Sequence, residues 1–385
     1  MKVASMRFRA CSPRSRTVLC IFWLAVFLAH PSSGSAQSGP RASRSEAVAE
    51  QAGKADANAW TIGLAGGLLE GSFIRYAADL AKVLDDGDNL RVIPMVTYGA
   101  VGNVSDLLHL RGVDVAITQS DVLEYFRTEL ATPRMAERVH YIAPLFQAEV
   151  HVCAKPEYKS LAELGGKRVA FNTRGSAANL TGQIVFRRLG IPVQPILVNN
   201  AVALEQMRTS DLAAVVHVVA KPNDLFASYK GEVPCRFLPV AYGKAFEDFY
   251  VPTTLEARDY PAFIPAGQSV TTLAVPAVLA VFNWPRNSER ARKVGRFIEA
   301  FFAKFEQLQQ PPYQPKWKEI NVAGTVPGWT RYPFAEEVLT RPSSPGDGQS
   351  RARFEAFLAQ RRGTKPLTQG DRDALFKDFL DWQKR

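Results

Sequence analysis

The sequence predicts an α/β protein of two lobes, and three observations carry this reading. Apolar runs of strand length alternate with helix-spaced apolar positions from Trp60 onward, the pattern of a mostly parallel sheet. The junctions from strand to helix are short and rich in glycine, serine and asparagine. Two apolar segments, 150–154 and 269–282, have no helix of their own and bracket a second run of strand-helix units, as crossovers between two lobes do.

The elements follow in order. Lys2, Arg7, Arg9, Arg14 and Arg16 precede an unbroken apolar run over 18–29, too short to span a bilayer comfortably. Gly34 and Ala36 then supply the small residues of a cleavage site, so 1–36 reads as a secretory signal peptide cleaved after Ala36. Residues 37–58 lack periodicity and read as a disordered leader. A strand from Trp60 runs into the loop 66–72, after which Phe73, Ile74, Ala77, Ala81 and Leu84 mark a helix face. The unit repeats with a strand over 91–96, a loop over 97–103 and a helix ending near Gly112. A third strand over 113–118 ends in Gln119-Ser120-Asp121, where Ser120 or Asp121 can cap the next helix.

Ser160 and Glu163 have capping-box spacing ahead of a short helix that stops at Gly165-Gly166. The stretch 169–190 is then a buried strand, a tight loop over 172–176 and an amphipathic helix. Within it Gly175 admits close backbone approach, Ser176 caps the helix, and Arg174 adds a positive charge to a helix start that already favours anions. Further units follow: a strand over 193–198, a helix over 201–207, a strand over 212–219 and a helix begun by Pro222. Val294, Phe297, Ile298, Phe301, Phe302 and Phe305 form the packing face of a late helix. Residues 341–350 read as a linker, and 351–385 as a helical tail packed on the lobes.

Composition limits the partners. The formal charge is +10, but five of the excess positive charges lie in 1–36 and four in 351–385, leaving the body nearly neutral. That excludes a phosphate-tracking nucleic-acid binder, which needs a strongly basic face. With the signal removed, Cys153 and Cys235 are left in the mature chain; they can form one disulfide or remain separate buried thiols. In open parallel sheets ligands sit beyond the C-terminal strand ends, so the loops named above gather on one edge.

The order of these motifs, at 63–71, 97–103, 112–121, 160–169 and 174–176, resembles the TAXI family of solute receptors. These are the extracytoplasmic binding subunits of tripartite ATP-independent periplasmic (TRAP) transporters. The resemblance covers about residues 60–310. It implies a two-lobed periplasmic-binding-protein fold, type II-like, with a hinge cleft. Lobe 1 is then 60–148 plus 283–340, and lobe 2 is 149–282. It also implies a monomer located in the periplasm, membrane permease subunits as partners, no cofactor, no metal and no catalysis. Position by position, it implies ligand contacts from Gly66, Gly67, Phe73, Gly99, Gly102, Asn103, Gln119, Asp121, Arg174, Gly175, Ser176 and Asn179. Where the family carries a tyrosine-containing pair, this chain has Phe73-Ile74, so a phenolic hydrogen bond to ligand is missing.

The helix starts after Gly71, Gly102 and Gly175, together with Arg174, favour a carboxylate ligand, either an amino acid or a dicarboxylate; Asp121 would suit an ammonium group. The nearest rival is the receptor of an ATP-driven importer. An enzyme on the same fold is disfavoured, because the five histidines fall in signal, helix or strand patterns and no metal spacing, serine elbow or phosphate loop occurs. A third reading gives the basic tail a protein or membrane-surface partner.

Overall fold

The computed structural model describes residues 44–341 apart from 88 and 230–234, and its packing divides the chain into two units, 1–51 and 52–385. The expected signal peptide with its cleavage site and the expected tail over 351–385 lie outside the described residues, as does the expected linker apart from Arg341. Of the segment expected to lack structure, 44–58 instead belongs to helix α1 (Arg44–Ala59). Its alanine and glutamate content gives it helix propensity without an apolar stripe, which is why periodicity missed it.

Among the described residues ten strands form one sheet. They are β1 (Thr61–Gly67), β2 (Arg91–Val96), β3 (Val115–Gln119), β4 (Val139–Ala154), β5 (Arg168–Ala170), β6 (Gln194–Ile196), β7 (Leu212–Val219), β8 (Arg236–Phe237), β9 (Val251–Glu256) and β10 (Ser269–Phe282). The main path runs β2-β1-β3-β10-β4-β7-β5-β6, with β8 on β4 and β9 on β10. Pairings among β1, β2 and β3 are parallel, as are those among β5, β6 and β7. The two parallel sets are joined through the long antiparallel pair β4 and β10. This is the two-lobed periplasmic-binding-protein architecture, with β4 and β10 as the segments that pass between lobes. β4 begins at Val139, well before the 150–154 segment legible as a strand.

Ridges of apolar residues fix the helices on the sheet. Helix α2 (Ser72–Leu84) buries Phe73, Tyr76, Ala77, Leu80, Val83 and Leu84, positions that share one face at helical spacing. Each fully buried large side chain of this kind contributes about 1.5–3 kcal/mol. Next come α3 (Ala100–His109), α4 (Val122–Thr128) and the single turn α5 (Met135–Arg138). In the second lobe a wide turn over Ala178–Gly182 continues into α6 (Gln183–Arg188), followed by α7 (Asn200–Gln206) and α8 (Asp224–Ala227). The chain then adds α9 (Glu289–Ala303), α10 (Phe305–Leu308) and α11 (Pro333–Thr340). On α9 the buried face includes Val294, Phe297, Ile298 and Phe301.

Three local expectations are corrected. Pro222 does not open a helix: the Lys221–Pro222 peptide is cis, and α8 starts two residues later with the Asn223 side chain accepting from the Leu225 amide. Ser160 and Glu163 do meet, but Ser160 donates to the Glu163 carboxylate, which in turn accepts from the Lys159 amide, so serine caps no amide and only a single tight turn follows. Neither Asp121 nor Ser120 caps α4; the Asp121 carboxylate is turned toward the other lobe.

Cys153 and Cys235 are disulfide-bonded, with Cα atoms 5.4 Å apart. The bond ties β4 to the segment that enters β8 and closes a loop of 82 residues. Such a cross-link stabilises a fold by about 2–4 kcal/mol.

Candidate functional site

The C-terminal strand ends of both parallel sets face one another across a cleft, and polar contacts cross it at several points. Beside α3, the amides of Val101 and Gly102 donate to the Gly175 carbonyl at 3.0 and 3.3 Å. Farther along, the Thr181 hydroxyl donates to Asp121 at 2.7 Å, and the Tyr250 hydroxyl donates to the same carboxylate oxygen at 3.0 Å. On the α2 side, the Ala220 amide donates to the Ser72 hydroxyl at 3.0 Å. Asn199 Nδ2 donates to Glu70 at 2.5 Å, and Asn223 Nδ2 to the Glu70 carbonyl at 3.0 Å. Arg75 pairs with Asp224, and Arg187 with Glu129 at 2.7 Å.

Between these contacts lies a small cavity of about 40 Å³. The first lobe lines it with Gly67, Leu68, Glu70, Gly71, Ser72 and Phe73 from the β1–α2 junction and with Tyr98 and Gly99 from the β2–α3 junction. The second lobe supplies Asn172, Ser176, Ala177 and Ala178 from the β5–α6 junction and His217, Val218 and Val219 from the end of β7. The lining is mostly apolar, and among the described residues it contains neither lysine nor arginine, with Glu70 as its one carboxylate.

The residues expected to face ligand divide sharply. Gly67, Phe73, Gly99 and Ser176 line the cavity. The others do not. Gly66 is packed against α2, where a Cβ would meet Ile74 at 2.8 Å. Asn103 is fully buried and spent on backbone: its Nδ2 donates to the carbonyls of Gly66 at 2.8 Å and Ile117 at 2.6 Å, while its Oδ1 accepts from Thr97. Gly102 is committed to Gly175. Gly175 itself has φ +84, the left-handed region that favours glycine, which lets its carbonyl reach the start of α3. The Asn179 side chain accepts from the Gly175 amide, and the Asn179 amide donates to the Ser176 hydroxyl, so this helix start caps itself. Arg174 is exposed and outside the lining.

Gln119 and Asp121 sit in a second, solvent-free polar cluster. Asp121 is 2 % exposed, and burial raises its pKa despite the hydrogen bonds from Thr181 and Tyr250. Burial, then the neighbouring Asp121 charge, pushes the Tyr250 phenol up. Among the described residues Asp121 Oδ1, Gln119 Nε2 and Ser120 Oγ have no partner.

Sequence reasoning missed His217, which is 3 % exposed. Among the described residues neither of its ring nitrogens has a hydrogen-bond partner, and burial lowers its pKa to about 4. Its cross-strand neighbour His151 is fully engaged, with Nδ1 2.9 Å from the Glu149 carbonyl and Nε2 2.8 Å from the Tyr260 hydroxyl. Because the Asn223 amide donates to that same hydroxyl, the tyrosine proton goes to Nε2 and the His151 proton sits on Nδ1. The signal for His217 was its place as the one polar side chain in an apolar strand, near the end where ligands bind.

Among the described residues no group of three or more His, Cys, Asp or Glu side chains gathers to hold a metal, and no helix is long and apolar enough to cross a membrane. No family model and no curated protein matches the sequence. Solved structures do match. The periplasmic binding protein BugD is 13 % identical, with 67 % of this chain and 85 % of BugD covered, at a TM-score of 0.44. The alkanesulfonate-binding protein SsuA of Xanthomonas axonopodis pv. citri, solved with MOPS, is 13 % identical over 80 % of this chain and 95 % of its own, at 0.37. The LysR-family transcriptional regulator CbnR is 13 % identical over 65 % and 74 %, at 0.34. These are likenesses of fold.

Proposed function

We propose that this chain is a solute-binding receptor that holds one small carboxylate-bearing ligand in the interlobe cavity and performs no turnover on it. The observation that carries the reading is the small cavity, about 40 Å³, left between lobes that otherwise contact one another directly. Its mixed wall of apolar surface and a few polar groups is the usual make-up of a ligand pocket, and opening of the lobes enlarges it to admit a ligand. The lobes, 60–148 plus 283–340 and 149–282, open and close about β4 and β10. Closure buries the ligand and presents a surface to a membrane partner.

In this reading the order of loop motifs assigns the chain to the TAXI type of receptor, delivering its ligand to a TRAP permease outside the cytoplasm after removal of 1–36. The test is to purify the exported protein, denature it under native-to-denaturing mass spectrometry, and screen carboxylates and amino acids by thermal shift. One bound small molecule per chain and a raised melting temperature are expected. Consumption of a substrate faster than background, with no stabilising ligand, overturns the reading.

A further inference from the structure

Away from the cleft, the first lobe carries an open groove of about 600 Å³ between α9 and α11. Its place follows from the sheet register. Trp60 immediately precedes β1, and Val281 near the end of β10 pairs with Val115 at the start of β3, so Trp60 and Trp284 stand at the N-terminal edge of the parallel set. The loops that line the interlobe cavity leave the opposite edge.

The groove combines aromatic surface with positive charge. Trp60, Trp284 and Phe334 line it and are half-buried. Helix α9 adds Arg292 and Arg296, one turn apart. The two carboxylates of the lining are already taken, Glu337 by Arg286 and Glu299 by Arg341 at 2.9 Å. Arg296 lies over the Trp60 ring, 3.2 Å from its centroid, and donates to the Asn89 carbonyl at 3.0 Å. Arg292 is exposed, and among the described residues its guanidinium has no partner. An aromatic floor beside arginines without carboxylates suits an amphipathic helix that carries acidic residues along its apolar face.

The chain itself contains a segment of this chemistry. Leu375, Phe376, Phe379, Leu380 and Trp382 recur at helical spacing, with Thr368 and Asp371 at capping-box spacing ahead of them. On a helical projection Asp371, Asp378 and Asp381 fall along one flank of that apolar face, and over 371–382 the aspartates outnumber Arg372 and Lys377. The last described residue stands at the groove: α11 forms one wall, and Arg341 after it pairs with Glu299 on the other. The stretch 342–370 is long enough to fold back from there, since an extended chain covers about 3.3–3.6 Å per residue. Tethering makes the contact intramolecular, so modest contacts suffice to hold it.

We infer that the segment 371–382 folds back as a helix into the groove between α9 and α11 of its own chain, its apolar face on Trp60, Trp284 and Phe334 and its aspartates toward Arg292 and Arg296. The groove is thereby covered from within the molecule, at the edge of the first lobe away from the ligand.

The experiment places the photo-cross-linker p-benzoylphenylalanine at position 379 of the purified exported protein and maps its products by mass spectrometry. Hydrogen exchange is followed in parallel on the wild type, on Arg292→Glu and on the double variant Phe376→Asp with Phe379→Asp. Circular dichroism and exchange of the β4 and β10 peptides check that each variant is folded. The expected products are cross-links within one chain to 283–299 or 332–337. Exchange over 371–382 is expected to be about tenfold slower in the wild type than in the double variant, and Arg292→Glu to speed it about threefold or more while β4 and β10 stay as protected as before. Cross-links to other parts of the chain, to a second copy or to another protein overturn the inference. So does equal exchange over 371–382 in the wild type and the double variant, or an Arg292→Glu variant that leaves that exchange unchanged. Ligand binding is read separately by thermal shift, and because the groove lies at the opposite edge, failure here leaves the receptor reading standing.

Discussion

Two buried polar clusters lie in the second lobe's contact with the first and differ in what crosses between the lobes. Around Asp121, one carboxylate oxygen gathers hydroxyl donors from Thr181 and Tyr250 of the facing lobe, while among the described residues its other oxygen, Gln119 Nε2 and Ser120 Oγ have no partner. Around His217, neither ring nitrogen has a partner among the described residues. Burial does not separate them, since Asp121 is 2 % and His217 3 % exposed. The bridge does: Asp121 ties one lobe to the other, and the His217 ring does not.

Acid distinguishes the clusters most strongly, because their protonation works in opposite directions. His217 and His151 are held neutral by burial, with pKa values of about 4 and about 3 against 6.5 in the unfolded chain. The unfolded state therefore binds more protons below pH 6.5, and the stability they contribute is complete above that value and lost as pH falls toward 4. At about 1.4 kcal/mol per pH unit for each ring, the loss is on the order of 6–7 kcal/mol over this window. Asp121, whose pKa is raised, works the other way and gains stability as it takes up its proton. Urea unfolding at pH 7, 6, 5 and 4 should show a steep fall in midpoint. His217→Phe should flatten that fall by about half, and Asp121→Asn should leave it at least as steep.

The next effect is removal of the latch. Asp121→Ala leaves the Thr181 and Tyr250 hydroxyls without their acceptor and should cost about 2–3 kcal/mol in equilibrium unfolding. Asp121→Asn keeps an acceptor oxygen and loses the buried charge, so it should stay within about 1 kcal/mol of wild type. Equal losses for the two variants would show that the buried charge of Asp121, and not its acceptor oxygen, carries the bridge between the lobes.

The smallest expected effect is at Arg174. Being exposed and outside the cavity lining, its replacement by alanine should change unfolding free energy by less than about 0.5 kcal/mol. A loss of several kcal/mol in denaturant titration would place Arg174 in the closure of the cleft.

Much of the architecture was legible because it depends on local pattern. The strands over 91–96, 212–219 and 269–282 coincide with their apolar runs, and the buried face of α9 follows its helix spacing. Ser176 was identifiable as a cap because the interaction spans three residues of chain. Gly67, Phe73, Gly99 and Ser176 were identifiable as cleft residues because they end strands or begin helices on the edge where ligands bind. Helix α1 and the early start of β4 were not legible, the first lacking an apolar stripe and the second lacking alternation.

What the sequence determined by itself is the alternation of strands and helices, the two parallel sets with long crossovers, and the edge on which the loops gather; hydrophobic periodicity is local and survives without coordinates. What only the tertiary structure decided is which polar groups on that edge remain unspent. Asn103, Gly102 and one oxygen of Asp121 bond to partners 14 to 129 residues away, while among the described residues the other Asp121 oxygen and both ring nitrogens of His217 meet none. Hydrogen-bond satisfaction is a property of contacts between distant segments, and no spacing along the chain encodes it.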